Sequence, residues 1–302
     1  MEAFQEIVPY LVLGIGTGIY GILVGAGGGV ILAPSLMLFF GVDPTVAAGT
    51  SLALVSVNSI SGTFAYKRTG FIDLRSGLFF ALAAVPGSIF APLILDYAPS
   101  GLFKILFGIL LLSLGILIGL KPENRERESS EAFEKFKLSK PPDFSTMPDW
   151  LQFTMVKRRI VAKKGQVFVF EFNESLGTAF NIVLGFISSF FGTGGGFLRT
   201  PVLVSAFGFP VQIAVATSIF ALSIYSTIGA GVHAYLGNVD WYPAFIWSGV
   251  GLIIGGQVGA RLMEIIRGVW ILRILLLIVL VMGIQLIIQG VWPQMFSFTL
   301  VH

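Results

Sequence analysis

Long apolar segments dominate this chain and alternate with short polar or glycine-rich stretches. Eight of the ten segments have 20 residues or more, which is the length that an α-helix needs to cross a bilayer. The two others, 28–41 and 195–209, would rise only about 21 Å as helices, less than the hydrocarbon core. We interpret each of these two as a tilted short span or a re-entrant arm. In chain order the segments are 4–24, 28–41, 44–65, 77–96, 101–120, 172–191, 195–209, 211–235, 243–262 and 269–290.

The pattern predicts an all-α polytopic membrane protein with two halves of five apolar segments each. Residues 121–171 separate the halves and are rich in Lys, Glu, Ser and Pro, as in KPENRERESSE and KPPD. This stretch is too polar to enter a membrane. We therefore divide the chain into a first transmembrane repeat at 1–120, a charged cytoplasmic linker at 121–171 and a second transmembrane repeat at 172–302.

The two halves are copies of each other. A shift of 167 positions aligns 25–73 with 192–240 without a gap, and sixteen of the 49 pairs are identical. The composition alone would give roughly four to six identities. Five segments in each copy predict inverted repeats with short broken helices at the centre, a design that recurs in secondary transporters.

Composition narrows the class of protein further. Of the 302 residues, 55% are hydrophobic and 12% are charged, and the chain contains no cysteine and two histidines. Disulfides, thiolate chemistry and a histidine-rich metal site are therefore not expected. The sequence has no Walker A motif, nucleophile constellation or paired carboxylates. We expect neither an enzyme nor a cofactor, and no partner that is a nucleic acid, because the basic residues concentrate in the linker beside acidic ones.

The basic residues also predict an orientation. Three of them, Lys67, Arg68 and Arg75, follow the third segment, and Arg261, Arg267 and Arg273 surround the loop after the ninth. If all ten segments cross, both loops and the linker share one face, which the positive-inside rule makes cytoplasmic. Both termini then lie outside. We expect the protein in a cell membrane, namely the plasma membrane of a prokaryote.

Two matched glycine clusters, GAGGG at 25–29 and GTGGG at 192–196, precede the short segments. Broken helices at membrane depth are tolerated where they are buried in protein or line a polar cavity. The helix that follows each cluster points free N–H groups back at it, which suits an anion. We interpret both clusters as a substrate cradle, with Gly27, Gly28 and Gly29 in one and Gly194, Gly195 and Gly196 in the other. Scattered glycines such as Gly14, Gly18, Gly251 and Gly255 are better explained by close helix packing.

Arg199 is the basic residue inside a short segment, and its repeat counterpart is Leu32. A charge at that depth is expensive and usually faces a polar pathway, although it can also anchor a carbonyl or headgroup. Two hydroxyl pairs, Thr50–Ser51 and Thr217–Ser218, occupy equivalent places after the clusters. Their hydroxyls can donate to an oxyanion or bond to the carbonyl one turn back.

Four further polar positions complete the candidates. Asn58 is an uncharged donor for which a hydrogen bond between helices is the simpler role. Asp73 and Asp240 each follow a loop glycine by three residues, so we predict that they are helix N-caps or turn residues. His233 is the repeat counterpart of Tyr66, and the sequence names no partner for it.

The doubled GxGGGxxxxP motif at 25–34 and 192–201, each followed by a Thr-Ser pair, resembles the TauE/SafE sulfite exporter family, also called TSUP. The stretch GGQVGARL at 255–262 is also typical of that family. The resemblance covers both halves and implies secondary transport of small sulfur-containing anions such as sulfite or sulfonates, with export as the expected direction. Some relatives that import thiosulfate use cysteines in the pore, and this chain has none.

Two other classes stay open from the residues alone. One is a non-transporting membrane scaffold or assembly protein in which the glycines only pack helices. The other is a metal-ion permease, for which Asp43, Glu174, Glu264 and His233 are the nearest ligand candidates. For a carrier, the expected partners are a small anionic substrate, the lipid bilayer and a coupling ion, either a proton or sodium. A homo-oligomer is also left open.

Overall fold

The structure, a computed structural model, describes residues 2–24, 27–119, 154–163, 165, 167–262 and 268–292. Most of the predicted linker, together with Glu264 and Arg267, lies outside these residues. Within them the chain forms ten α-helices and one β-hairpin. The helices are α1 (Glu2–Val24), α2 (Gly29–Phe39), α3 (Pro44–Thr69), α4 (Leu74–Leu95), α5 (Ser100–Gly119), α6 (Glu174–Phe191), α7 (Gly196–Ser205), α8 (Val211–Tyr235), α9 (Ile246–Leu262) and α10 (Gly268–Val291).

Each helix corresponds to one predicted apolar segment. Among the described residues, α4, α6 and α8 are long and apolar enough to cross a membrane by length and composition. The short helices α2 and α7 have 11 and 10 residues. Asp73 caps the N-terminus of α4 by accepting from the Ser76 N–H, as predicted. Asp240 lies in the turn before a short π-helical stretch, Trp241–Phe245, and makes no side-chain cap.

The two halves are interleaved and share one core. The main helix pairs are α1 with α9, α4 with α6, α3 with α8, and α5 with α10. Because α1 corresponds to α6 and α4 to α9 in the repeat, exchanging the halves turns the first pair into the second. The other two pairs join equivalent helices and map onto themselves. The packing therefore follows the sequence repeat, and the main pairs join one half to the other.

The equivalent helices α3 and α8 run antiparallel. The Thr50 hydroxyl at the start of α3 accepts from the backbone N–H of Asp240, after the end of α8, at 2.8 Å. In the matching contact, Thr217 at the start of α8 accepts from the N–H of Asp73, after the end of α3, at 3.0 Å. These two bonds are repeat counterparts and fix both ends of the central α3–α8 pair.

The scattered glycines are packing residues, as predicted, because they let α1 approach the backbone of α9. A Cβ on Gly14 would lie 2.1 Å from the carbonyl oxygen of Ser248, and one on Gly255 would lie 2.1 Å from that of Ile15. Gly18 and Gly251 are equally close to the opposite backbone. Side chains at these positions would separate the two helices, so this interface depends on glycine.

A β-hairpin, which the sequence did not predict, occupies the end of the region assigned to the linker. Strand β1 (Met155–Val161) pairs antiparallel with β2 (Val167–Asn173), and α6 begins at the next residue. Phe170 and Phe172 pack on Phe209, between α7 and α8, with ring centroids 4.5 and 4.7 Å away. The hairpin therefore covers the end of the helix bundle at which α7 is followed by α8.

Arg158 holds the hairpin to the helices. Its guanidinium is 3.4 Å from a carboxylate oxygen of Asp73, bonds to Ser76 at 3.3 Å and forms an ion pair with Glu174. These side chains are largely buried, so their interactions are weakly screened. The neighbouring pair Lys157–Glu171 is far more exposed on the lysine side.

Arg158→Met should destabilise the protein by about 2 kcal/mol, because it leaves two carboxylates partly buried without their cation. Lys157→Met is the matched control, with an expected loss of about 0–1 kcal/mol because its pair is exposed. The midpoint of thermal unfolding in detergent measures both. Equal shifts for the two variants would show that Arg158 does not anchor the hairpin.

Candidate anion site

The two glycine clusters meet at the centre of the molecule. Gly27 and Gly28 form the first glycine loop, with φ of +74° and +87°, and Gly194 and Gly195 in the second (192–195) have φ of +81° and +64°. These left-handed conformations suit glycine because it has no Cβ. A Cβ on Gly29 would lie 2.7 Å from the carbonyl oxygen of Gly192, so the first cluster touches the second loop. The structure thus brings both halves of the predicted cradle together.

Two apolar side chains lie between the glycine loops. Val55 of α3 and Leu222 of α8 are repeat counterparts, and both are fully buried. A Cβ on Gly27 would meet both side chains within 3.1 Å, and one on Gly194 would meet both within 3.4 Å. Val55 and Leu222 therefore form an apolar plug on the axis that relates the halves.

Side chains satisfy the carbonyl groups that the glycine loops leave outside a helix. Asn58 donates to the carbonyl oxygen of Gly27 at 3.2 Å, and Tyr225 donates to that of Gly194. Asn58 and Tyr225 are repeat counterparts, as are the two carbonyls. Ser51 adds a bond at 2.7 Å to the carbonyl oxygen of Gly192 in the other half. The role of Asn58 is therefore the bond between chain segments that the sequence suggested.

Arg199 lies in the first turn of α7 and is fully buried, with 0% of its surface exposed. Its Nε donates to the side-chain oxygen of Asn181, and its Nη1 donates to the carbonyl oxygen of Ser218 at 3.3 Å. The Cζ atom lies 4.8 Å from the ring centroid of Tyr225. No carboxylate among the described residues lies within 4.0 Å of the guanidinium. The positive charge is therefore buried against neutral groups.

Several buried polar atoms of Arg199 and of residues near the second glycine loop are unpaired. In the part of the chain that the structure describes, its Nη2 has no hydrogen-bond partner, and neither does the hydroxyl of Ser188 or that of Ser218. A Cβ on Gly195 would lie 3.1 Å from the Cβ of Ser188, so this serine borders the second glycine loop. Thr193 and Thr200, beside the same loop, also have buried unpaired hydroxyls.

Backbone donors add to this group. The N–H groups of Gly196 and Phe197 begin α7 and donate to no group of the described residues. Buried donors without acceptors are rare in proteins, and a cluster of them suggests a missing acceptor. We call Ser188, Gly195, Arg199, Ser218 and Tyr225 the arginine pocket.

The equivalent place in the first half lacks these groups. The repeat counterpart of Arg199 is Leu32, that of Asn181 is Gly14, and that of Ser188 is Gly21. Gly14 and Gly21 are packed against backbone there, and Leu32 is fully buried in an apolar cluster with Leu54 and Leu252. The two cradles therefore share a backbone shape but differ in their side chains.

Only some of the remaining predicted residues lie at the centre. Ser51 lies beside the glycine loops, and Ser218 is part of the arginine pocket. Thr50 and Thr217 use their oxygens at opposite ends of the α3–α8 pair. Their donation to an anion stays a prediction. The sequence reasoning missed Asn181, Ser188 and Tyr225, although each is a polar residue whose repeat counterpart is different, and that contrast was a usable signal.

Comparison with known proteins identifies the family of this chain. The family described as Sulfite exporter TauE/SafE matches residues 10–286. The chain belongs to the TauE/SafE sulfite exporter family. It is therefore a multi-pass membrane protein of a transporter family, as the sequence predicted.

Curated relatives agree with this assignment. The probable membrane transporter protein YunE of Bacillus subtilis is 30% identical over 295 residues, which cover 95% of this chain and 100% of the relative. ORF9 of Sinorhizobium sp, also called a probable membrane transporter protein, is 28% identical and is covered over 88% of its length, with 89% of this chain aligned. The archaeal relative MJ0441 of Methanocaldococcus jannaschii, named likewise, is 25% identical over 86% of this chain and 87% of its own. No solved structure matches the chain.

Tyr225→Phe tests how the second glycine loop is held. The substitution keeps the ring below Arg199 but leaves the Gly194 carbonyl without its donor, which should cost about 1–3 kcal/mol of stability. Tyr20→Phe is the matched control, because the Tyr20 hydroxyl is buried without a partner among the described residues, so its loss should cost little. Thermal unfolding in detergent measures both variants. Equal stability of the two would contradict this role of Tyr225.

Proposed function

We propose that this protein is a secondary carrier of small sulfur-containing oxyanions, such as sulfite or a sulfonate, and that the arginine pocket binds the anion. The observation that carries this proposal is Arg199, a fully buried guanidinium with an unpaired Nη2 and no carboxylate partner among the described residues. The description of the family as sulfite exporters supports the substrate class and the outward direction.

The energetics favour an anion as the missing partner. An ion taken out of water loses several kcal/mol of hydration even after the protein relaxes. The contacts of Arg199 with Asn181, the Ser218 carbonyl and the Tyr225 ring are all with neutral groups, so they recover only part of this loss. A bound anion adds a direct charge interaction in a poorly screened interior, where it is worth far more than in water.

The donors define the kind of anion. The Nε–H of Arg199 and one N–H of its Nη1 are already used, so the guanidinium keeps three N–H donors, one on Nη1 and both on Nη2. The serine hydroxyls and the first N–H groups of α7 supply further donors from other directions. This arrangement suits a compact oxyanion whose oxygens point several ways, such as a sulfite or sulfonate group.

The architecture supports a carrier mechanism. Antiparallel packing of equivalent helices is the arrangement that inverted repeats produce, and carriers with inverted repeats expose a central site alternately to the two sides. In our proposal the Val55–Leu222 plug separates the arginine pocket from the opposite face. Transport then requires the two halves to move relative to each other at this plug.

The other two classes receive less support. A scaffold protein would not need a buried arginine whose Nη2 donates to no group of the described residues. A metal-ion permease would need its ligand candidates near one another. Instead, Asp43 caps the start of α3, while Glu174 pairs with Arg158 at the other end of that helix. His233 lies at the end of α8, away from Glu174.

Arg199→Gln keeps most of the side-chain length and removes the charge. We expect the apparent affinity for a divalent anion to fall more than that for a monovalent one, because the lost Coulomb interaction scales with the charge of the anion. Competition against sulfonate uptake in proteoliposomes, with sulfate and chloride as competitors, measures the ratio. Arg75→Gln, at an exposed arginine on α4, is the control. An unchanged ratio of affinities in Arg199→Gln would show that Arg199 only anchors α7.

The orientation proposed from the sequence rests on the two ends of the α3–α8 pair. One end carries Lys67, Arg68 and the exposed basic side chains of the hairpin, because the Lys163 N–H bonds to the carbonyl of Thr69 at 3.1 Å. The other end carries the exposed aromatic residues Tyr97 and Tyr235, as expected near a membrane surface. The basic end is cytoplasmic in our proposal.

Single cysteines test this orientation in a chain that has none of its own. In intact cells an impermeant thiol reagent should label Tyr97→Cys and spare Arg159→Cys, because only the aromatic end faces outward. Permeabilised cells should give labelling at both positions and serve as the control for reactivity. Labelling of Arg159→Cys in intact cells would reverse the proposed topology.

A further inference from the structure

We propose that His233 is a proton-binding site and that anion transport is coupled to a proton through it. This inference rests on the proposed function and names its coupling ion. His233 lies in the last turn of α8, is fully buried, and has no role in the arginine pocket. An ionisable residue within a membrane span is expensive to keep there and commonly belongs to an ion or proton pathway.

The hydrogen bonds of His233 define its protonation state. Its Nε2 lies 3.1 Å from the carbonyl oxygen of Ser189, which can only accept, so Nε2 carries a proton. The other ring nitrogen, Nδ1, is buried and has no partner among the described residues. The neutral ring therefore holds a free lone pair at Nδ1, where a proton can bind to form an N–H bond and an imidazolium.

Ser189 connects His233 to the arginine pocket. It is the neighbour of Ser188 on α6, and the carbonyl of Ser188 accepts from the N–H groups of Gly192 and Thr193 at the start of the second glycine loop. The same turn of α6 thus holds His233 through Ser189 and shapes the loop through Ser188. Protonation of the His233 ring can therefore affect the arginine pocket through this one turn of α6.

Asn238 links the end of α8 to Asp96 at the aromatic end. The carbonyl of His233 accepts from the backbone N–H of Asn238 at 2.8 Å, and the Asn238 side chain donates to the exposed carboxylate of Asp96 at 2.7 Å. Asp96 is the charged group facing the ring from the α4 end. On α3 the neighbour is Gly49, and on α6 it is Ser189, both uncharged.

Asp43, which caps the start of α3, and Asp240 are further carboxyl groups at this end. Asp240 lies in the loop after α8, and burial raises its pKa above the ordinary value. The repeat counterpart of His233 is Tyr66, at the cytoplasmic end of α3, so the proton site, like the arginine pocket, has no copy in the other half.

Charge balance sets the direction of coupling. A proton at Nδ1 adds a second positive charge to an interior that already contains Arg199. A bound anion attracts both charges, so anion and proton bind more tightly together than separately. The proton and the anion bind from the same side, and the proton leaves Nδ1 when the anion leaves on the other side. A divalent anion with one proton still carries one net negative charge, so an inside-negative potential drives it outward.

Flux in proteoliposomes tests this coupling with the full chain. The probe is radiolabelled methanesulfonate, whose charge does not change near neutral pH, so a pH gradient cannot act through the probe. With the membrane potential clamped at zero, the parent should accumulate the probe on the alkaline side. At one proton per anion, one pH unit supports at most about tenfold accumulation. His233→Gln, which retains a donor for the Ser189 carbonyl, should keep downhill flux and lose accumulation. Tyr66→Phe should behave like the parent.

The outcomes separate this inference from the proposed function. Saturable flux without a response to pH in the parent, or equal accumulation in the parent and His233→Gln, overturns the role of His233 alone. Absence of saturable flux of methanesulfonate and sulfite in the parent overturns the proposed function as well.

A second measurement covers the case in which His233→Gln fails to fold. With His302→Gln, His233 becomes the single histidine of the full chain. The ring nitrogen chemical shifts should then report protonation at Nδ1 between about pH 5 and 8, at a higher pH with methanesulfonate than without it. A ring that stays neutral over this range in both conditions overturns the proposal.

Discussion

Inside a bilayer, every backbone N–H and C=O group needs a partner within the protein, and this constraint shapes the centre of the molecule. Two helices break at the glycine loops, which leaves carbonyl groups outside any helical ladder. Asn58, Tyr225 and Ser51 supply the donors for Gly27, Gly194 and Gly192. With these three carbonyls satisfied, the first N–H groups of α7 still donate to no group of the described residues. The centre is therefore rich in donors before any charged side chain is considered.

The repeat gives both halves this backbone, and a few side chains then make them unequal. Where the second half has Asn181, Ser188 and Arg199, the first half has Gly14, Gly21 and Leu32. Gly14 lets α1 pack tightly on α9, and Gly21 lets the first glycine loop lie against α1, so the first half uses these positions for packing. The hairpin adds to the inequality because it covers the end of the helix bundle near α7 and α8. A symmetric framework thus has one arginine pocket.

The sequence predicted the ten helices, the cap at Asp73 and the packing glycines because these depend on local pattern. It did not predict the hairpin, since the alternating residues of 155–173 lie within a charged region whose composition suggested a solvated loop. It also could not pair Thr50 with Asp240 or Arg199 with Asn181. A repeat tells which residues are equivalent, whereas contacts between segments depend on how the halves fold around each other. Of the arginine pocket, the sequence therefore named Gly195, Arg199 and Ser218 but missed Ser188 and Tyr225.

The magnitudes around Arg199 show which interaction matters most. Its charge near the N-terminus of α7 opposes the helix dipole, at a cost of about 0.5 kcal/mol. The Tyr225 ring beneath the guanidinium recovers about 2 kcal/mol in a desolvated setting, which already exceeds the dipole term. The loss of hydration is larger than both, at several kcal/mol for a buried ion. Neither the dipole nor the ring therefore decides the balance. The hydrogen bonds to Asn181 and to the Ser218 carbonyl offset a further part of the loss, at about 1.5–3 kcal/mol each, and a group of opposite charge would add to them. Because the described part of the chain supplies no such group to Arg199, the energetics favour an anion that comes from outside the protein.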